Sequence, residues 1–162
     1  MQQTIEGYRL GPHQKHLWLL ERQGGSAFVL QCTLRLRGDL DRRALREAAR
    51  RLVERHEILR TSFELLPGMQ LPIQVILEHS GPVWREVDLG GEPAELGNLE
   101  KLEASVPFHR GETPHVRLTL ASIDPADHAL VVTQPALCSD PRSLVNLAYE
   151  LSKLYEIELH GL

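Results

Sequence analysis

The sequence predicts an α+β protein, a two-layer sandwich in which helices pack against one mixed β-sheet. Three segments carry this prediction: an alternating stretch at Phe28–Arg37, a helical pattern at Leu40–His56 and an all-apolar run at Ala129–Thr133. Strands and helices follow one another in irregular order, which argues against a doubly wound fold with regular strand–helix alternation. With 162 residues the chain has the length of one domain, which we expect to span residues 1–162.

The first third of the chain is expected to form a helix, a strand and a second helix. A short helix is predicted over Gly11–Arg22, with Pro12 in its first turn, where a missing backbone N–H costs nothing. In Phe28–Arg37 apolar and polar residues alternate, which is typical of a half-buried strand. Asp39 is a suitable N-cap for the helix over Leu40–His56. Its buried stripe has helical spacing and consists of Leu40, Ala44, Leu45, Ala48, Leu52 and Val53.

A band of arginines lies on the opposite side of this second helix: Arg42, Arg43, Arg46, Arg50 and Arg51. One interpretation is a docking surface for an acidic partner. We prefer the interpretation of a solvated helix face, because Glu47 lies four residues before Arg51 and stabilises the helix along its own surface.

The middle of the chain is expected to form a hairpin and a further strand. Thr61–Leu65 and Leu71–Glu78 flank the turn signal Pro67-Gly68, which predicts two antiparallel strands. Val83–Asp88 is a short strand, and a link broken by glycine and proline follows it.

The last third is expected to contain two strands between two helices. A helix is predicted over Glu95–Val106, where Pro107 ends it. Val116–Leu120 is a strand, and the apolar run after the Asp124-Pro125 turn suits a central strand that is buried on both faces. The apolar spacing after it predicts a C-terminal helix over Arg142–Glu158.

The composition indicates a soluble globular protein, with 42% hydrophobic and 25% charged residues. The net charge of -4 gives no reason to expect nucleic-acid binding. Apolar runs such as Ala27–Leu30 are too short to cross a membrane, and no secretory signal follows Met1. Because Cys32 and Cys138 are too few for a disulfide framework, we expect a reducing, cytoplasmic location.

Two segments resemble motifs of one protein family. Arg55–Phe63 reads R-H-E-I-L-R-T-S-F and closely resembles the R-H-E-x-L-R-T-x-F signature of condensation domains in nonribosomal peptide synthetases. An earlier motif of that family, S-x-A-Q-x-R-L-W, is similar to this chain at Gln14, Leu17 and Trp18. The resemblance covers almost the whole chain, but only as the first half of such a domain.

The resemblance implies a fold like that of chloramphenicol acetyltransferase, in which two lobes form a V around a tunnel for carrier-bound substrates. This chain is similar to the N-terminal lobe alone. Members of the family join two carrier-bound acyl groups in secondary-metabolite biosynthesis, antibiotics among them. The chemistry uses a third motif, H-H-x-x-x-D-G.

In this chain the third motif is degenerate. Pro135 and Ala136 align with the two histidines, Pro141 aligns with the glycine, and only Asp140 is retained. The active histidine of the family aligns with Ala136, whose methyl group cannot transfer a proton. The resemblance therefore implies that no catalytic residue is present. It further implies a structural ion pair between Arg60 and Asp140, since removing one partner of a buried pair costs roughly 3–5 kcal/mol.

Other candidate sites are weaker on sequence grounds. Cys138 is a potential nucleophile, but no histidine lies in the same loop to act as its base, so a buried structural thiol is favoured. His13 and His16 have helical spacing, but no third metal ligand follows them. Gly24-Gly25 and Gly90-Gly91 lack the lysine and the glycine spacing of phosphate-binding loops. We therefore expect neither a metal nor a cofactor.

We accordingly expect a truncated, catalytically inactive condensation-like domain of a nonribosomal peptide synthetase that serves as a structural or docking element. Its partners would be other synthetase domains or a recruited enzyme, with a homodimer as a further possibility. One alternative is the N-terminal half of a larger, working condensation domain. Another is a stand-alone acyltransferase that uses Cys138.

Overall fold

The computed structural model describes residues 7–23, 28–108 and 115–161. Within these residues the chain forms strands and α-helices in the following order: β1 (Tyr8–Arg9), α1 (Pro12–Arg22), β2 (Val29–Arg37), α2 (Arg42–Arg55), β3 (Thr61–Glu64), β4 (Ile73–Ile76), β5 (Val83–Asp88), α3 (Glu95–Ser105), β6 (Arg117–Asp124), β7 (Asp127–Pro135) and α4 (Pro141–His160). A 3₁₀ turn, Glu57–Arg60, connects α2 to β3.

The α+β fold class is confirmed, but the strands form two sheets where one was expected. A four-stranded sheet has the order β2–β7–β6–β5, and a three-stranded sheet has the order β1–β4–β3. The predicted hairpin is β3 and β4, which pair in antiparallel fashion, and β1 adds to its free edge. Since β1 has only two residues, its sequence contains no recognisable strand period.

In the four-stranded sheet, β7 is a central strand, as predicted. It pairs in antiparallel fashion with β2 and β6, so that Leu130 lies opposite both Leu34 and Leu120. The edge strand β5 runs parallel to β6. Every residue of β7 after Asp127 is buried, which explains why the core of this strand reads as a continuous apolar run.

Helices cover both faces of this sheet. On one face α2 and α4 bury a large apolar core, which includes Leu45, Leu52, Leu118, Leu120, Leu130, Leu144 and Leu151. On the other face α3 packs with Leu99 against Ala121, Ile123 and Val131. The alternation of β6 and β7 residues between these two cores determines the register of the strands.

Helix α2 begins later than predicted, and its N-cap is Asp41 and not Asp39. The Asp41 side chain accepts a hydrogen bond from the backbone N–H of Ala44 at 2.9 Å. The chain first turns at Gly38, whose φ of 97° belongs to the left-handed region that favours glycine. After this turn the chain is still extended at Asp41, so the helix begins at Arg42 and not at the predicted Leu40.

Helix α3 is attached to the sheet through a buried ion pair that the sequence did not predict. Glu103 and Arg117 are 3% and 5% exposed, and Arg117 Nε lies 3.3 Å from Glu103 Oε2. Arg117 also donates to the carbonyl oxygens of Glu103 and Val106, both at 2.7 Å, at the C-terminus of the helix. Thr119 donates a further hydrogen bond to the Glu103 carboxylate at 2.9 Å. These contacts satisfy both buried charges.

Candidate functional site

Residues from the three motif segments meet at one place in the fold. Gln14 of α1 accepts a hydrogen bond from the backbone N–H of Gly11 at 2.9 Å. Its side-chain nitrogen lies 3.0 Å from both Gln74 Oε1 and the carbonyl oxygen of Leu137. Gln14 thus connects the first motif to β4 and to the loop that carries the degenerate third motif.

An apolar cluster lies beside this connection. It contains Trp18 from α1, Phe63 from β3, and Leu137 and Cys138 from the loop, all of them buried. Each of the three motif segments contributes at least one of these side chains. In this chain the three motif segments therefore pack α1, β3 and the loop after β7 against one another.

The loop that follows β7 is held by its backbone. The N–H of Ala136 donates to the carbonyl oxygen of Phe28 at 2.8 Å, and the N–H of Cys138 donates to that of Pro135 at 2.9 Å. Pro135 ends β7, and Pro141 is the first residue of α4. The loop is thus a short connector with proline at both ends, and it contains Ala136, which the motif resemblance aligns with the family's proton-transferring histidine.

Cys138 has the environment of a structural thiol. It is 9% exposed and packs in the apolar cluster defined above. Burial raises the pKa of its thiol well above the usual range, and the negative charge of Glu21 adds to this effect. Since the thiolate is the reactive form, this environment opposes nucleophilic chemistry at neutral pH.

The structure does not form the expected ion pair between Arg60 and Asp140. Arg60 has its ionic contact with Glu57, at 3.7 Å, and its guanidinium also donates to the carbonyl oxygen of Leu77. Asp140 is exposed and accepts a hydrogen bond from the backbone N–H of Ser143 at 2.7 Å. This hydrogen bond lowers the pKa of Asp140. The physical reason is that Asp140 acts as the N-cap of α4, where free backbone N–H groups attract a carboxylate.

Three other polar residues of the Arg55–Phe63 signature make contacts at the end of α2 and in the turn that follows it. Arg55 forms an ion pair with Glu150 of α4 at 3.1 Å, and His56 Nε2 lies 2.6 Å from the same carboxylate. Thr61 donates from its hydroxyl to the carbonyl oxygen of Glu57 at 2.7 Å. The signature therefore fastens the C-terminus of α2 to α4 and begins β3.

The arginines of α2 are largely engaged by neighbouring carboxylates. Arg42 and Arg46 both bind Glu86 of β5, at 3.0 and 2.6 Å. Arg50 pairs with Glu47, and Arg51 pairs with Glu158 of α4. These ion pairs within the chain agree with the interpretation of the arginine band as a solvated helix face and not as a docking surface.

Two buried polar residues near the loop were not singled out by the sequence analysis. Gln134 is fully buried, and neither atom of its side-chain amide has a hydrogen-bond partner among the described residues. His115 is 3% exposed, and its ring lies 5.4 Å from that of Phe63. Burial lowers the pKa of His115 to about 4, against an opposing contribution from the backbone of Thr61. In the sequence, Gln134 could have been noticed because it directly follows the apolar run Ala129–Thr133. No comparable pattern in the sequence indicates that His115 is buried.

The other candidates from the sequence find no site around them. Among the described residues, no group of three or more His, Cys, Asp or Glu side chains could hold a metal ion, and this includes the surroundings of His13 and His16. Gly24-Gly25 lie outside the described residues. No helix in the described part of the chain is both long and apolar enough to span a bilayer.

Comparison with known proteins places the chain in a family. The family model described as Condensation domain matches residues 4–161. The bassianolide nonribosomal cyclodepsipeptide synthetase of Beauveria bassiana is 33% identical over 150 residues, which are 91% of this chain and 5% of that protein. Bacitracin synthase 3 of Bacillus licheniformis is 30% identical over 154 residues, which are 93% of this chain and 2% of that protein. The chain thus spans a small fraction of the curated relatives it matches.

Solved structures agree with this assignment. The X-domain from teicoplanin biosynthesis is 29% identical, with a TM-score of 0.83 over 99% of this chain and 35% of that one. The complex of this X-domain with OxyB gives 27% identity and a TM-score of 0.85, with the same coverage. The starter condensation domain of the rhizomide synthetase shares the fold, with a TM-score of 0.86 at 16% identity over 96% of this chain and 38% of its own. The chain belongs to the condensation domain family.

Proposed function

We propose that this chain is a condensation-like lobe without condensation chemistry, which serves as a structural or docking element within or alongside a nonribosomal peptide synthetase. The feature that carries the proposal is Ala136, which the motif resemblance aligns with the proton-transferring histidine. General acid–base catalysis by a positioned side chain typically contributes 10²–10⁴-fold in rate, and a methyl group contributes none of it.

The surroundings of Ala136 support the same proposal. Between Pro135 and Asp140 the loop contains a single ionisable group, the Cys138 thiol. This thiol is buried, and its pKa is raised. Asp140 itself is occupied as a helix cap. The loop therefore offers no base for activating an amine or hydroxyl nucleophile.

A single-turnover assay tests the proposal. The chain is mixed with two carrier proteins loaded with acyl and aminoacyl groups, and the products are followed by mass spectrometry. We expect no condensation above a heat-inactivated control. Product that survives in Cys138→Ala would contradict the proposal, and product that disappears in that variant would favour the acyltransferase alternative.

For the docking role, we propose a recruited enzyme or a neighbouring synthetase domain as the partner. The support is the likeness to an X-domain whose structure was solved in complex with OxyB. The test is calorimetric titration of the purified chain with each enzyme and synthetase domain encoded alongside it. We expect saturable binding to one of them, whereas no heat with any of them would contradict the docking role.

A second candidate is the N-terminal half of a larger condensation domain that forms amide bonds between carrier-bound substrates. It is supported by the 35% to 38% share of the solved condensation-type chains that this chain covers. The same single-turnover assay on the complete natural protein distinguishes the two candidates, because only this one predicts product.

A further inference from the structure

One charged side chain of the Arg55–Phe63 signature, that of Glu57, forms no hydrogen bond within the described part of the chain. Arg55 and His56 contact Glu150, and Thr61 donates to a backbone carbonyl. The Glu57 side chain is 66% exposed, and its carboxylate accepts no hydrogen bond from any described residue. Its one ionic contact among these residues is with Arg60 at 3.7 Å. That distance is too long for a hydrogen bond, so the carboxylate retains its capacity to accept one from a ligand.

Glu57 lines a cleft between the 3₁₀ turn and the three-stranded sheet. We call it the β1–β4 cleft; its volume is about 440 Å³, and it is lined by Tyr8, Glu57, Ile58, Thr61, Gln74 and Ile76. This volume lies within the range of small-molecule sites, roughly 300–1,000 Å³. The cleft is thus large enough for a small ligand or for one long side chain of a partner.

The polar groups of the cleft divide into occupied and available ones. The Gln74 amide donates to the carbonyl oxygen of Arg9 and accepts from Gln14, both at 3.0 Å. The Thr61 hydroxyl is bound to the backbone of Glu57. The Glu57 carboxylate and the phenol of Tyr8, which is 56% exposed, have no hydrogen-bond partner among the described residues.

The backbone that carries Glu57 is well supported. The N–H of Leu59 donates to the carbonyl oxygen of His56, and the N–H of Leu77 donates to that of Arg60, both at 3.0 Å. The first hydrogen bond closes the turn itself, and the second fastens the turn to the segment after β4. A preorganised site loses less conformational entropy on binding than a mobile one.

We propose that the β1–β4 cleft binds a primary ammonium group carried on an aliphatic stem. The Glu57 carboxylate supplies a charge-assisted hydrogen-bond acceptor for the ammonium group. The ring of Tyr8 offers a face for cation–π attraction. Ile58 and Ile76 provide apolar surface for the methylene stem.

The positive charge of Arg60 is the one argument for an anionic ligand in place of a cationic one. Its guanidinium lies near Glu57 and would favour an anion over a cation if its charge dominated the cleft. However, the Arg60 side chain is only 17% exposed, does not line the cleft and donates from Nη1 to the carbonyl oxygen of Leu77. Its Nε has no hydrogen-bond partner among the described residues, but this atom is buried. The more exposed Glu57 carboxylate therefore determines the sign of the ligand charge.

This inference is independent of the proposed docking role, because it concerns the ligand chemistry of one cleft. The ammonium group has two possible sources, a free aliphatic amine or a lysine side chain of a polypeptide. The experiment distinguishes them by comparing n-pentylammonium with Nα-acetyl-lysine N-methylamide.

The experiment is an NMR titration of the full chain with isoleucine methyl groups labelled, so that Ile58 and Ile76 report on the cleft. We expect saturable shifts with n-pentylammonium and a Kd in the range of about 1–10 mM, as suits a fragment of six heavy atoms. Glu57→Gln should weaken binding by about tenfold, the size of a lost charged hydrogen bond. The control Glu54→Gln, an exposed glutamate on α2, should leave the affinity unchanged.

Two further ligands test the sign of the charge. Hexanoate and n-pentanol match the stem of n-pentylammonium and should shift the reporters at least tenfold less at equal concentration. Equal binding of either ligand, an unchanged affinity in Glu57→Gln, or unmoved reporters would overturn the proposal. If the lysine derivative binds more tightly than n-pentylammonium and its Nε-acetylated form does not bind, the source is a polypeptide. Tighter binding of n-pentylammonium assigns a small molecule.

Discussion

His115 is a buried histidine whose pKa of about 4 makes stability depend on pH. In the unfolded chain its pKa is close to 6.5. The unfolded state therefore binds the proton more readily, so stability is unaffected above about pH 7 and falls as the pH drops from 6.5 toward 4. We expect a loss of about 2–3 kcal/mol from this residue by pH 4.5.

Urea denaturation at pH 7.5 and 4.5 measures this effect. His115→Leu should lose less stability between the two pH values than the unsubstituted chain, by about the amount given above. The matched control is His13→Leu, since His13 is exposed on α1. An identical pH dependence in the chain with and without His115 would show that its burial does not govern the titration.

A second prediction at this scale concerns Arg60 and Asp140, which have separate partners. Asp140→Ala removes the cap of α4 and should cost about 1 kcal/mol. Arg60→Ala removes the contacts with Leu77 and Glu57. Because the two side chains do not touch, the double variant should equal the sum of the single ones within about 0.5 kcal/mol. Thermal or urea denaturation of the four proteins gives the coupling energy, and a coupling of about 1 kcal/mol or more would restore the ion pair that the resemblance implies.

Helix α3 depends on the buried pair of Glu103 and Arg117. Glu103→Ala leaves the Arg117 charge buried without its partner, which should cost about 3–5 kcal/mol. Arg117→Ala should cost somewhat less, because Arg85 Nη1 still lies 3.4 Å from Glu103 Oε1. The double variant Glu103→Leu, Arg117→Met should cost much less than the sum, since no charge then remains in the core. Denaturant titration of the four proteins tests this.

The control for this prediction is a pair at the surface. Arg50 and Glu47 form an ion pair with both side chains well exposed, and exposed pairs contribute little. Arg50→Ala should therefore cost about 1 kcal/mol or less. A cost for Arg117→Ala no larger than that of Arg50→Ala would indicate that α3 is held by apolar packing alone.

At the scale of the whole molecule, the lobe is expected to associate. The family resemblance implies that a second lobe faces this one in a complete condensation domain, and a large exposed apolar patch on a soluble monomer usually marks an interface. We expect a reversible homodimer in isolation, since symmetric pairing is the commonest arrangement of identical chains. Light scattering over a range of concentrations should show the mass rising toward twice that of the monomer. A constant monomeric mass would contradict this expectation.

Local patterns in the sequence were sufficient for most of the secondary structure. The alternation in β2, the apolar run in β7 and the spacing in α4 all predicted elements that are present, because each depends on neighbours within a few residues. The predicted bounds differ by several residues at β6 and β7, whose ends are extended by pairing with each other. The Arg55–Phe63 signature alone was specific enough to indicate the family.

What the local patterns could not determine is which distant groups meet. Asp140 caps its own helix, Arg60 binds the chain after β4, and Arg117 finds Glu103 beneath α3. These choices depend on the distances and burial that packing creates, and several acceptable partners existed for each charge in the sequence. The sequence thus determined most of the elements and the family, whereas the tertiary structure decided the division into two sheets, the ion pairs and the carboxylate of Glu57 that remains available. The reason is that the periodicity of a helix or strand depends on residues close together in the sequence, whereas the partner of a charged side chain depends on how distant segments pack.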